Sequence, residues 1–219
     1  MPLPPPLTLI LATRNAHKVA ELSTLLDEVA RCLSLKEFPS APATVEDADS
    51  FAGNAAKKAV ELARWLAAEG WAADKCLVLA DDSGLEVDAL GGAPGVQSAR
   101  FAAAETGAAG NSADAANNAK LLRLLADVPM ERRTARFRCV LALAPATDEA
   151  AQRVVCFAGV CEGHLEFAPR GASGFGYDPL FVPLGFDRTF AELGEDGKNG
   201  LSHRAKALVK CRVWLGANR

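Results

Sequence analysis

The stretch Val78-Leu79-Ala80-Asp81-Asp82-Ser83-Gly84-Leu85-Glu86-Val87-Asp88, with its tail Ala89-Leu90-Gly91-Gly92-Ala93-Pro94-Gly95, decides how the rest of the chain is read. From Leu77 to Ala80 the sequence is wholly apolar, and it then meets two adjacent carboxylates, a hydroxyl and a glycine. A short apolar run closed by turn residues reads as a buried strand, which puts Asp81 and Asp82 at its carboxyl end. In open α/β sheets that end is where ligands bind. Neighbouring carboxylates repel one another unless a cation, usually a metal, offsets them. The plainer alternative is that Asp82 or Ser83 caps a following helix. A cap needs only one acid, and here there are two.

Upstream, the uncharged run Leu7 to Ala12 reads as a first buried strand, and Val19, Leu22, Leu25, Leu26 and Val29 recur at helical spacing from about Ala16 to Arg31. The turn between them, Thr13-Arg14-Asn15-Ala16-His17-Lys18, brings a hydroxyl, an amide and cations to a helix N-terminus, where free backbone N–H groups attract anions. It lacks the glycines of a Walker loop, and a capped helix with a solvated Lys18 fits it equally well. An acidic loop, Glu46-Asp47-Ala48-Asp49-Ser50, precedes a helix expected over Phe51 to Ala68, on which Asn54 and Lys58 share a face.

Downstream, Gly91 to Gly95 is too rich in glycine and proline for regular structure, and Ala102 to Gly110 reads as a small-residue, mobile stretch. A helix bearing Asp114, Asn117, Asn118 and Lys120 runs to about Asp127. Thr134 to Ala144 and Gln152 to Gly159 read as an antiparallel hairpin, so the sheet is mixed. A second glycine-rich loop, Gly171-Ala172-Ser173-Gly174-Phe175-Gly176-Tyr177-Asp178-Pro179, sets aromatics beside glycines, which lets backbone approach a flat ligand while a ring stacks on it. Thr189 to Leu193 reads as a helical turn, Glu195 to Gly200 as a polar loop carrying Lys198, and Ser202 as the cap of a last helix opening with His203 and Arg204.

At 219 residues the chain buries roughly 70% of its unfolded surface and needs no staple. Half the residues are apolar and the net charge is −3, without like-charge runs, which argues against a nucleic acid polymer as partner. The six cysteines, at 32, 76, 139, 156, 161 and 211, form no CxxC pair and read as reduced core residues of a cytoplasmic protein. Cys156, Cys161 and His164 lack a fourth ligand for a metal site. Residues 1–6, Met-Pro-Leu-Pro-Pro-Pro, lack the pattern of a signal peptide and read as a flexible tail on one α/β domain over residues 7–219. No run approaches the length of a membrane span.

Together these segments supply acids for a metal (Glu46, Asp81, Asp82), cations for phosphates (Lys18, Lys58, Lys198), an aromatic plane (Phe175) and donors for a base edge (His203, Arg204). That is the inventory of an Mg²⁺-dependent nucleoside triphosphate hydrolase. The blocks Leu11–Lys18, Glu46 with Ser50–Ala55 and Lys58, Ala80–Gly95, Gly174–Phe181 and Lys198 with Ser202–Ala205 resemble, in order, those of the inosine/xanthosine triphosphate pyrophosphatases. The resemblance implies hydrolysis of dITP, ITP and XTP to the monophosphate and pyrophosphate. It also implies a homodimer and an elongated mixed β-sheet flooring a cleft between two lobes. By matching position, Glu46 and Asp82 would bind Mg²⁺, Asp82 would also act as general base, and Asp81 would support or share the metal. Thr13, Asn15, Lys18 and Lys58 would hold the triphosphate; Ser83, Phe175, Gly176, Tyr177, Asp178, Lys198, His203 and Arg204 would enclose the nucleoside. Arg14 and His17 stand where the family often has glycine, and Gln97 where it usually has an aromatic. The competing readings are a pyrophosphatase for other nucleotides and a nucleotide-binding regulator without catalysis.

Overall fold

The computed structural model describes residues 7–27, 29–71, 76–103 and 110–218. The expected tail at residues 1–6 and most of the expected mobile stretch from Ala102 to Gly110 lie outside these residues. Strand β1 (Thr8–Leu11) buries Leu9, Ile10 and Leu11 completely. It pairs in parallel with β2 (Arg31–Ser34) on one side and with β3 (Cys76–Val87) on the other. The sheet continues through β4 (Thr134–Pro145), β5 (Val155–Leu165) and β6 (Phe181–Pro183) in the order β2-β1-β3-β4-β5-β6. β5 and β6 pair antiparallel, so the sheet is mixed.

Helix α1 (Ala16–Leu26) leads from β1 to β2, and α2 (Phe51–Ala68) leads from β2 back across to β3. The two crossovers run in opposite directions from β1. The right-handed rule for parallel connections therefore puts α1 and α2 on opposite faces of the sheet. β1 and β3 thus flank the point where strand order reverses, the usual place for a ligand.

The chain divides into two compact units. One comprises Met1–Asp82, Val140–Ala158 and Ala207–Arg219; the other comprises Ser83–Cys139 and Gly159–Lys206. The boundary falls inside β3, between Asp82 and Ser83. The first unit is built on β1, the buried face of α2 (Ala55, Ala59, Leu62, Ala63, Leu66) and Val78 and Leu79 of β3. The core of the second gathers Leu85, Val87, Phe137, Leu165, Tyr177, Phe181 and Phe190 around Leu121 and Leu125. No helix among the described residues is long and apolar enough to cross a membrane.

Three expectations are corrected. The helix after β1 ends at Leu26, not near Arg31, because Arg31–Ser34 is drawn into pairing with β1. β3 does not stop at the double aspartate, and Asp82 and Ser83 lie within the strand instead of capping a helix. The strand runs on to Val87, and only its parallel pairing with β1 stops, at Leu11 opposite Leu79. The polar segment Glu195–Gly200 is helical, as the second half of α5 (Phe190–Leu201), whose Thr189–Glu192 capping box starts it and whose Gly194 (φ 72°) kinks it. The expected helix at residue 114 is α3 (Asp114–Leu124), a short turn α4 (Ala150–Arg153) precedes β5, and the last helix is α6 (His203–Ala217).

Candidate active site

In the first unit the turn between β1 and α1 is built by capping. Asn15 Oδ1 accepts from the N–H groups of His17 and Lys18 at 2.9 and 3.2 Å, and Asn15 N–H donates to Thr13 Oγ1. Ala12 N–H donates to Leu79 O at 2.8 Å, tying the start of this loop to β3 just before the aspartates. Arg14 turns away, its guanidinium bonded to Ala41 O.

Successive strand side chains point to opposite faces, so Asp81 and Asp82 part company. Asp81, whose side chain is buried, pairs with Lys18 of α1. Asp82 faces Lys58 of α2, whose Nζ lies 3.2 Å from Asp82 Oδ1, 3.2 Å from Glu46 Oε2 and 2.8 Å from Asp81 O. The acidic loop bearing Glu46 is pinned by Asn54, which accepts from Ala48 N–H at 3.0 Å, and by the Lys57–Asp47 ion pair. The two acids are driven apart electrostatically. Burial raises the Asp82 carboxyl to about 6 against the opposing pull of Lys58 and Lys18. Burial also acts on Glu46, but Lys58 and hydrogen bonding carry its carboxyl below the ordinary value. Lys58, despite burial, is raised by Asp82, Glu46 and Asp81 and stays charged. Two carboxyls held apart in this way suit an acid–base division of labour. Asp82 Oδ2 is buried and has no hydrogen-bond partner. No group of three or more His, Cys, Asp or Glu side chains among the described residues is arranged to hold a metal ion.

In the second unit the loop at 174–178 is folded on its own carboxylate. Asp178 Oδ2 accepts from Phe175 N–H at 2.9 Å and from Lys198 Nζ at 2.7 Å, with both side chains of that ion pair buried. Gly174 (φ 79°) leaves the space that the Asp178 carboxylate fills; an added Cβ would collide with Oδ2. Lys198 Nζ stands 4.4 Å from the Phe175 ring centre and the Arg204 guanidinium 6.0 Å from it, both within cation–π range. Arg204, almost wholly buried, donates to Ser83 Oγ at 3.0 Å, and the His203 ring stacks on Phe137 at 4.8 Å.

Tyr177 departs from its anticipated part. Its side chain belongs to the core, and its hydroxyl donates to Ser98 O at 2.8 Å.

Sequence reading named Asn54, Asp114 and Asn118 on their helices but gave none of them a role at the site. Asp114 Oδ2 accepts from Gly176 N–H at 2.6 Å, and Asn118 Nδ2 donates to Gly176 O at 3.0 Å. The available signal was an acid and an amide four residues apart on α3, a spacing that puts both on one face.

Comparison with known proteins bears on this arrangement. The Ham1 family model matches residues 9–214. A dITP/XTP pyrophosphatase of Opitutus terrae is 48% identical over 211 residues, covering 93% of this chain and 96% of that one. One of Desulforamulus reducens is 48% identical over 208 residues, covering 94% of each. Among solved structures, a HAM1 protein from Coxiella burnetii superposes with a TM-score of 0.80 at 36% identity, over 96% of this chain and 99% of the other. A nucleoside-triphosphatase / dITP/XTP pyrophosphatase from Mycobacterium abscessus gives 0.67 at 41% identity, over 93% and 98%. A mixed α/β fold shared with these structures, and a match that takes in both units and every segment contributing to the two clusters, show that the chain belongs to the Ham1 family.

Proposed function

We propose that this protein is a nucleoside triphosphate pyrophosphatase that hydrolyses noncanonical purine nucleotides, dITP, ITP, dXTP and XTP, to the monophosphate and pyrophosphate. The observation that carries the mechanism is Asp82: a buried carboxyl raised to about 6, with one oxygen on Lys58 and the other without a partner. A base with such a value takes a proton readily near neutral pH. Water attacks the α-phosphorus and gives its proton to Asp82; the bond from that phosphorus to the bridging oxygen breaks, and pyrophosphate leaves. Lys58 and Lys18, with the Thr13–Asn15 loop, counter the charge on the triphosphate.

Magnesium is usually held by one or two carboxylates, with phosphate oxygens and water completing its shell. Glu46 and the unpartnered Asp82 Oδ2 fit that pattern. When bound, Mg²⁺ would neutralise charge on the phosphates. Asp81, engaged by Lys18, serves on this reading to orient that lysine rather than to hold the ion. Ser83, Phe175, Gly176, Asp178, Lys198, His203 and Arg204 enclose the nucleoside, with Arg204, His203 and Lys198 as the donors that suit a 6-oxo purine. Adenine would meet those donors with one of its own, and a mismatched polar site can reject an analogue by ~10⁴. The relatives named for dITP and XTP support this choice. A cytoplasmic homodimer belongs to the same reading, and sedimentation tests the dimer.

The test is product analysis with ITP and Mg²⁺. IMP and pyrophosphate are expected. IDP and phosphate would mean attack at the γ-phosphorus, and a preference for dUTP or ATP over ITP would overturn the substrate assignment.

A further inference from the structure

Gly176 sits between Phe175 and Tyr177 in the left-handed region (φ 63°), a conformation that glycine adopts freely but does not itself enforce. Nothing lies within 4 Å of where a Cβ would stand, so side-chain packing does not fix it either. Asp178 holds the neighbouring Phe175 N–H from within the loop, and α3 grips Gly176 from outside it. Asp114, in the first turn, takes the Gly176 N–H at 2.6 Å, and Asn118, one turn on, gives a hydrogen bond to the Gly176 carbonyl at 3.0 Å. The next residues of the helix grip the neighbouring segment in the same manner. Asn117 accepts from Ala102 N–H and donates to Ala99 O, and the Lys120 ammonium donates to Phe101 O. Tyr177 in turn anchors to Ser98 O. Asp114 is exposed, and its carboxylate accepts the Gly176 N–H.

We infer that Asp114 and Asn118 are positioning residues for base discrimination: they lock the Gly176 backbone and thereby fix the Phe175 ring beside Lys198 and Arg204. The inference rests on the functional reading above, with Phe175 as the surface against which the base lies. Rejection of a wrong base requires donors that cannot relax to meet it. Releasing Gly176 frees a residue with no side chain and wide conformational choice, and the ring beside it is left with the Asp178 contact to its N–H alone. Discrimination then falls, while binding of the phosphates, whose residues belong to the other unit, is unaffected.

The experiment compares Asp114→Ala, Asn118→Ala and the conservative Asp114→Asn with the wild-type protein. It reads kcat/KM for ITP and for ATP, together with inhibition by inorganic tripolyphosphate. Loss of one such hydrogen bond is expected to lower the ITP-to-ATP ratio roughly tenfold. The change should come through KM for ITP, with the tripolyphosphate inhibition constant at its wild-type value. Asp114→Asn keeps an acceptor for Gly176 N–H and should restore most of the ratio. An unchanged ratio in both alanine variants, or equal losses for ITP and tripolyphosphate, overturns the inference and leaves the functional reading standing. A wild-type protein that does not turn over ITP overturns both. Because Asp114 is exposed, its variants should fold even if Asn118→Ala does not.

Discussion

Replacing Asp82 by asparagine should stabilise the metal-free protein at neutral pH while abolishing turnover. Well below the ordinary value of 3.8 the carboxyl is protonated in the folded and unfolded chain alike, and it contributes no difference. As the pH rises past the ordinary value of 3.8, the unfolded chain releases its proton while the folded protein, raised to about 6, retains it. The stability linked to that retained proton is lost progressively and is gone above pH 6, where the native state must hold a buried negative charge. The gap between 3.8 and about 6, at about 1.36 kcal/mol per pH unit, is on the order of 3 kcal/mol. Asparagine keeps an oxygen for Lys58 and removes the charge. For a chain of this length that corresponds to about 6–12 °C in Tm. The assay is thermal unfolding of wild type and Asp82→Asn in chelator between pH 4 and 7.5. The variant's advantage should be smallest at pH 4 and grow to its full value by pH 7. Turnover should meanwhile fall by 10²–10⁴, roughly what a general base supplies. A variant that is equally or less stable at pH 7, or an advantage that does not change with pH, would refute the burial argument. Retained turnover would refute the base.

Other outcomes follow from the same contacts. Lys58→Met removes the cation shared by Glu46 and Asp82, so the acid limb of the kcat/KM profile should move to higher pH and turnover should drop by roughly 10²-fold; an unmoved limb would separate Lys58 from Asp82. Lys198→Met takes a positive charge from beside the buried Asp178 and should cost about 3–5 kcal/mol of stability, read by denaturant unfolding. Gly174→Ala combines a left-handed φ with a collision at the Asp178 carboxylate. It should cost at least about 1–2 kcal/mol and raise KM for ITP, and wild-type kinetics would show that the loop tolerates a displaced Asp178.

How far the sequence reached is clearest at particular residues. Helix α2 was legible almost to the residue, because Ser50 caps it and its apolar spacing is helical throughout. The strand β2 was not. Arg31-Cys32-Leu33-Ser34 carries little strand signal of its own and is extended because β1 offers it partners. Glu195–Gly200 looked like a loop because it is polar and holds glycines. It is helical beyond the Gly194 kink, with Lys198 buried against Asp178.

The sequence alone determined which groups are present and in what order: two adjacent acids after an apolar run, a capped cationic turn, and two glycine-rich loops. Those are local facts, carried by residue type and spacing. Only the tertiary structure decided which group each one meets. The pleat of β3 sends Asp81 to Lys18 and Asp82 to Lys58, so each acid meets its own lysine. Packing turns the Tyr177 side chain into the core, and α3 reaches across 62 residues of sequence to hold Gly176. Such choices depend on partners distant in the chain. A residue's own neighbours in sequence carry no record of them.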